Sequence, residues 1–308
     1  MKKCCLILAY FGKMPNYFPL FLKSCKTNSE FDFLIFTDDT NKYDYPENAK
    51  VIYTTFKEMK DKIQAKFDFE ISLKNAYKIC DYRVCFGYVF EDMLKDYEYW
   101  GYCDNDLILG DLSEFFIDGY DKLFCLGHLM IFKNTYENNR LFMSGEYKKA
   151  FTAGENVIFD ECWNNTENIH DIFLKNHKKV YERDLSVNFK ILSNTFVKIT
   201  FQPESRVFLE DKTECLYTWE NGKIYRYYMK DGLVKEEYLY IHLQERKMKY
   251  QHDLGNVYKI VPNSFLPLEM PVSEKTFAKI RKKAFHLHLL QYHLKWKIRG
   301  LKKRLKGE

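Results

Sequence analysis

The 308-residue sequence has no Cys-x-x-Cys pair, no Gly-x-x-x-x-Gly-Lys-Ser/Thr loop, no internal repeat and no low-complexity tract. The missing glycine-rich loop argues against a P-loop nucleotide enzyme. Nine cysteines are present: Cys4, Cys5, Cys25, Cys80, Cys85, Cys103, Cys125, Cys162 and Cys215. Their number is odd and most sit in apolar runs, so they read as reduced, buried packing residues of a cytosolic protein; a structural zinc would need a tighter cluster. No apolar run approaches the roughly 18 residues that a membrane span requires. The first ten residues begin like a signal peptide. Their apolar stretch is short, however, and Phe11-Gly12-Lys13 supplies no small-residue cleavage site, so a buried first strand is expected.

What is abundant is aromatic: 24 Tyr and 26 Phe within an 18% aromatic total, enough for a substantial core. With 46% hydrophobic and 30% charged residues the chain is globular, long enough for one large α/β domain with or without an appendage. Its net charge of +5 is unevenly placed. Residues 273–308 hold 12 Lys+Arg against 2 Asp+Glu, a local +10, so the rest carries −5. A mildly acidic body argues against nucleic acid as its partner.

Residues 4–10, 31–37, 51–53 and 97–103 read as apolar strands. Residues 17–25, 56–66 and 75–94 carry helical spacing between them. This alternation predicts an α/β fold with a Rossmann-type mixed sheet flanked by helices. Residues 123–132 are apolar but interrupted at Gly127-His128, and a helix is expected within 161–175. Between Thr213 and Ile241 the Asn221-Gly222 and Asp231-Gly232 pairs, set between Tyr-rich runs, predict a β-meander ending at His242. Pro262, Pro267 and Pro271 suggest a linker. The expected division is a catalytic-type domain over 1–262, followed by a linker and one basic amphipathic helix over 263–308.

The strongest local signal is the apolar strand that ends in Asp104-Asn105-Asp106. Residues two apart in an extended chain face the same side, so the two carboxylates point together at the carboxyl end of a strand, where open α/β sheets bind ligands. Like charges in that position call for a cation, and oxygen donors favour Mn²⁺ or Mg²⁺. His242 is a candidate third ligand, and Arg246 and Lys247 are candidates for phosphate oxygens. Tyr10, Phe11 and Asp38 fall at the ends of the first two strands, where rings stack on a base and a carboxylate takes a ribose hydroxyl. Lys78 and Asp81 share a helix face, either as a surface ion pair or to orient donor phosphate and sugar. Asp160 and Glu161 are candidates for binding an acceptor hydroxyl or acting as base, or else are ordinary acids at a helix start.

These motifs occur in a recognisable order. An N-terminal Ala-Tyr-Phe-Gly-Lys-Met-Pro comes first, then a Phe-Thr-Asp-Asp strand end, a Tyr-Lys-Ile-Cys-Asp-Tyr helix and Trp-Gly-Tyr-Cys-Asp-Asn-Asp. A Phe-Asp-Glu and a late Ile-His-Leu-Gln-Glu-Arg-Lys-Met follow. Over roughly residues 1–262 the set resembles bacterial glycosyltransferases of capsule, O-antigen and lipopolysaccharide synthesis, within the wider group of GT-A-fold enzymes with a DxD motif. The resemblance implies a nucleotide-binding Rossmann-like half, Mn²⁺ or Mg²⁺ held by Asp104, Asp106 and His242, and a nucleotide-sugar donor, most often a UDP-sugar. It also implies a saccharide or lipid-linked acceptor. Of the His-x-x-Gly-x-x-Lys-Pro-Trp ending of related retaining enzymes, only His242 and Lys247 correspond, at a different spacing. Two other readings use the same residues: a metal-dependent nucleotidyl- or phosphotransferase, and a non-catalytic sugar-binding protein. The basic tail, with Leu287, Leu290, Leu294, Ile298 and Leu301 at helical spacing and Trp296 among them, suggests a helix lying on the cytoplasmic face of the inner membrane.

Overall fold

The computed structural model describes residues 2–163, 166–190, 196–244, 246–250, 254–262, 264–281 and 288–305. Glu245 of the late motif and residues 282–287 of the tail, Leu287 included, lie outside the described residues. In chain order the strands are β1 (Lys2–Tyr10), β2 (Phe31–Thr37), β3 (Ala49–Tyr53), β4 (Tyr97–Cys103), β5 (Leu107–Leu109), β6 (Lys122–Leu123), β7 (Leu129–Lys133), β8 (Val180–Tyr181) and β9 (Ser186–Phe189). They continue as β10 (Lys198–Gln202), β11 (Val207–Asp211), β12 (Cys215–Glu220), β13 (Lys223–Lys230), β14 (Gly232–Tyr238), β15 (Tyr240–His242), β16 (Val257–Val261) and β17 (Ser264–Pro267). The main helices are α1 (Phe18–Lys26), α2 (Phe56–Gln64), α3 (Ile169–Lys175), α4 (Glu274–Ile280) and α5 (His288–Leu305). The chain forms two compact units. One comprises Met1–Leu107, Leu112–Asp184 and Phe201–Phe208; the other comprises Ile108–Asp111, Leu185–Thr200 and Leu209–Glu308.

The first unit is built on a seven-stranded sheet in the order β3-β2-β1-β4-β7-β6-β8. β3, β2, β1 and β4 are parallel, while β7 runs antiparallel to β4. β1 and β2 are apolar almost throughout because both faces of a parallel sheet are covered. α1 starts at a proline, which suits a first helical turn, and α2 opens with a capping box between Thr55 and Glu58. The chain proceeds from β1 outward to β3, then returns to place β4 on the other side of β1. The carboxyl ends of β1 and β4 therefore flank the point where the strand order reverses, the ligand-binding position of open α/β sheets.

The second unit holds an antiparallel sheet, β14-β13-β12-β16-β17. Its first hairpin turns at Asn221 and Gly222, with φ of 51° and 92°, the paired positive values that a two-residue turn needs; Gly232, at 139°, serves the second. Trp219 stacks on Tyr258 in its core and donates its indole N–H to the Leu109 carbonyl at 3.0 Å. A further sheet, β11-β10-β9-β15-β5, has β9, β15 and most of β5 in this unit. α4 buries Phe277 and Ile280 against Leu216 and Tyr227.

The mixed α/β architecture and the meander are as the sequence predicts, and all nine cysteines are free thiols. Elsewhere the structure differs. Residues 76–94 are not one helix but a chain of 3₁₀ and single α-turns. Aromatic and β-branched residues there hold the helix weakly, and Gly87 lies against Trp100 of β4. The helix expected within 161–175 is present as Ile169–Lys175, opened by the Asn168 side chain, which accepts the backbone N–H groups of His170 and Asp171. The proline-marked linker contains β17, paired with β16. Of the tail, α4 and α5 are described.

A Cβ at position 87 would come within 2.3 Å of the Trp100 ring. Gly87→Ala is expected to cost about 1–3 kcal/mol of stability through overpacking. The measurement is the urea midpoint, and an unchanged midpoint would contradict the tight fit.

Candidate active site

β4 is buried along its carboxyl half and ends where the Asp104 N–H donates to the His128 carbonyl at 3.0 Å. Asp104 and Asp106 converge: a carboxylate oxygen of one lies within 4.8 Å of a carboxylate oxygen of the other. Asn105 turns aside between them and donates to the Met14 sulfur at 3.5 Å, linking this strand end to the loop after β1. Two carboxylates this close repel unless cations intervene.

One such cation belongs to the chain itself. Arg83 is almost fully buried, donates from Nη1 to Asp104, and donates from Nε (3.1 Å) and Nη2 to the same oxygen of Asp160. Its guanidinium lies 4.8 Å from the centre of the Tyr102 ring. Desolvation opposes its charge, but the surrounding acidic groups outweigh it and hold Arg83 firmly protonated. A lone arginine inside the apolar run from Ile79 to Phe90 was the available signal, since a buried guanidinium must have acidic partners.

Asp160 is 1% exposed, and burial raises its carboxyl to about 6 in spite of Arg83. Glu161 is raised further, to about 8, first by burial and then by the Asp160 charge; the Gly127 N–H works against both. Glu161 Oε2 is buried, with no hydrogen-bond partner among the described residues. Gly127 makes this packing possible, because a Cβ there would sit 2.8 Å from Asp160 Oδ2 and 3.0 Å from Glu161 Oε1.

Lys78 and Asp81 are not on the surface. They are 1% and 0% exposed. Lys78 Nζ donates to Asp81 at 2.9 Å and to the carbonyls of Ala150 and Glu155 at 3.1 and 2.7 Å, which uses its three protons. Asp81 in turn accepts the N–H groups of Val157 and Phe159 at 3.0 and 2.8 Å. The pair is a clamp that fixes the segment leading into Asp160. The ion pair weighed for these residues is therefore buried rather than on the surface.

At the ends of β1 and β2, Asp38 accepts the Gly12 N–H at 2.6 Å and so closes the loop after Tyr10. Phe11 packs edge-on to Phe56. Asp39, to which the sequence reading gave no role, accepts from the Met14 N–H, from Asn41 and from the Tyr43 hydroxyl. Burial notwithstanding, those bonds lower its carboxyl below the usual range.

In the second unit, His242 ends β15 opposite Asn188 in the parallel β9. Its Nδ1 is 3.1 Å from Asn188 Oδ1, which also accepts from Gln244 at 2.5 Å. An amide oxygen accepts only, so Nδ1 is the donor in this bond. Asn188 was not visible as a site residue, because β9 carries no motif. Arg246 is buried and donates to the Lys190 carbonyl at 3.2 Å, whereas Lys247 is exposed.

Two outcomes test this arrangement. Arg83→Met leaves Asp160 buried without its partner and is expected to cost about 3–5 kcal/mol, with part of the loss restored in the Arg83→Met/Asp160→Asn double variant; equal instability of the two would refute the pairing. Folding raises the Glu161 carboxyl above its ordinary range, so the folded state binds a proton and stability declines as pH climbs from about 4.5 to about 8. Glu161→Gln is therefore expected to gain stability relative to the parent across that window in paired urea titrations, and a constant difference would contradict the shift.

No curated protein matches the sequence. Among solved structures the chain is similar to the galactosyltransferase LgtC in complex with donor and acceptor sugar analogues, at 12% identity and a TM-score of 0.35, over 60% of this chain and 75% of that one. An active-site mutant of LgtC gives the same identity and TM-score over 60% and 74%. The model of the family of unknown function DUF6625 matches residues 6–269, and the chain belongs to that family.

Proposed function

We propose that this protein is a metal-dependent glycosyltransferase of GT-A type. It would move a sugar from a nucleoside-diphosphate donor, a UDP-sugar by preference, to a saccharide or lipid-linked acceptor in bacterial surface polysaccharide synthesis. The observation that carries the reading is the convergence of Asp104 and Asp106 beyond β4, at the reversal of strand order, with a buried arginine already bound to one of them.

The donor set suits Mn²⁺ or Mg²⁺: two hard carboxylates, with the imidazole of His242 as the third ligand. Asn188 fixes the tautomer that a metal-binding imidazole needs. When bound, the cation would neutralise the diphosphate and stabilise its departure.

The remaining roles fall to the chain's own groups. Arg83 holds Asp104 in place and adds positive charge at the phosphate end. Asp160 is engaged by Arg83 and buried, which leaves Glu161 as the carboxyl that meets a sugar hydroxyl; protonated at neutral pH, it would donate a hydrogen bond there. Tyr10 would supply the ring for the base, and Lys247 a cation for the phosphates.

The test is a thermal-shift panel of UDP-, GDP-, CMP- and dTDP-sugars with and without Mn²⁺, followed by donor hydrolysis and product analysis. One nucleotide class is expected to give a metal-dependent shift. Asp106→Asn is expected to abolish that shift and lower hydrolysis by roughly 10²–10³-fold, and Asn188→Ala to lower apparent metal affinity by roughly 10–100-fold. Hydrolysis that survives Asp106→Asn would defeat the proposal, and release of a nucleoside monophosphate with pyrophosphate would point to nucleotidyl transfer instead.

A further inference from the structure

The sugar-transfer reading leaves α5 unused. This helix runs for 18 residues without an acidic side chain. Leu294, Ile298, Leu301 and Leu305 on it are between 46% and 80% exposed. Their spacing of four, three and four residues places them within an arc of about 60° along about 16 Å of helix. α4 behaves differently, with Phe277 and Ile280 buried on the meander sheet. The apolar stripe of α5 has no such cover among the described residues.

The same spacing is that of a coiled-coil seam, so a second copy of the chain has to be weighed. The positions that would flank such a seam are Lys295, Lys297, Lys302 and Arg304. All four are cations, and in a paired helix of the same sequence they would face one another across the seam as like charges. Nucleic acid would satisfy the cations but gives no return for burying four aliphatic side chains. A surface that is anionic at the level of the flanks and apolar beneath the stripe satisfies both. We infer that α5 docks in the plane of an anionic lipid bilayer, with Leu294, Ile298, Leu301 and Leu305 sunk among the acyl chains and the four flanking cations at the headgroups. No described helix is long and apolar enough to cross a membrane, so the attachment is to the surface. Each flanking cation strengthens association with such a leaflet by about fivefold, an effect that salt weakens. The inference rests on α5 alone and does not depend on the proposed chemistry.

The experiment is flotation of the full chain with vesicles of phosphatidylcholine, pure or containing about one-third phosphatidylglycerol. Binding is expected to the mixed vesicles, to weaken with salt, and to be negligible with the neutral ones. The triple variant Leu294→Gln/Ile298→Gln/Leu301→Gln is expected to lose at least tenfold in partitioning, and so is Lys295→Glu/Lys297→Glu/Lys302→Glu. Circular dichroism and the urea midpoint of each full-length variant show whether the body still folds, and the two variants report independently. Unchanged flotation of either folded variant overturns the inference, as does equal binding to neutral vesicles. A dimer in solution that the glutamine variant dissociates would assign the stripe to a second copy. Failure to float combined with tight binding of a single-stranded RNA probe would assign the helix to nucleic acid.

Discussion

The Arg83 guanidinium is out of water, which is unfavourable unless carboxylates surround it, and the chain brings them from two distant places. Asp160 lies 77 residues further along and Asp104 lies 21 residues further along, and each reaches the same side chain. Remove the positive charge and the carboxylates of Asp104 and Asp160 are left repelling one another in a poorly solvated space. Arg83 thus fixes the end of β4 against the segment before α3, and in doing so it sets the resting geometry of the groups proposed to act on the donor. The Lys78–Asp81 clamp works in parallel, holding the backbone of residues 155–159 so that Asp160 is delivered at a fixed height.

Much of this could be read without coordinates. Largely apolar runs identify β1, β2 and β4, because parallel strands covered on both faces need no alternation, and the two carboxylates at the end of β4 stand out against such a run. Asn221, Gly222 and Gly232 mark the hairpins because few other residue types adopt positive φ at low cost. The failures have equally local causes. Gly87 looks like a tolerable glycine in a helix until Trp100 is seen against it, and that partner comes from another element. Lys78 and Asp81 have the spacing of a solvated pair on a helix face, and nothing in the spacing reveals that the face is turned inward. Asn188 sits in a four-residue strand, Ser186–Phe189, whose sequence carries no signal beyond its apolar neighbours.

The histidine illustrates how an amide one strand away orients a ring in a way that periodicity cannot show. A histidine after an apolar run is ordinarily a packed core residue. Accepting from His242 and Gln244 at a single oxygen, Asn188 determines which ring nitrogen carries the proton. The chemical character of the imidazole is therefore set by β9, while its position is set by β15.

Gly127 has a consequence for the whole family. The lack of a side chain there lets two acidic groups close in from the loop after Phe159. A relative carrying alanine or anything larger at this position would have to forgo one of those acids or hold its loops further apart. Residue identities at 127, 160 and 161 should consequently change together across the family, so that a single column of an alignment would sort the members that keep this acidic pocket from those that have given it up.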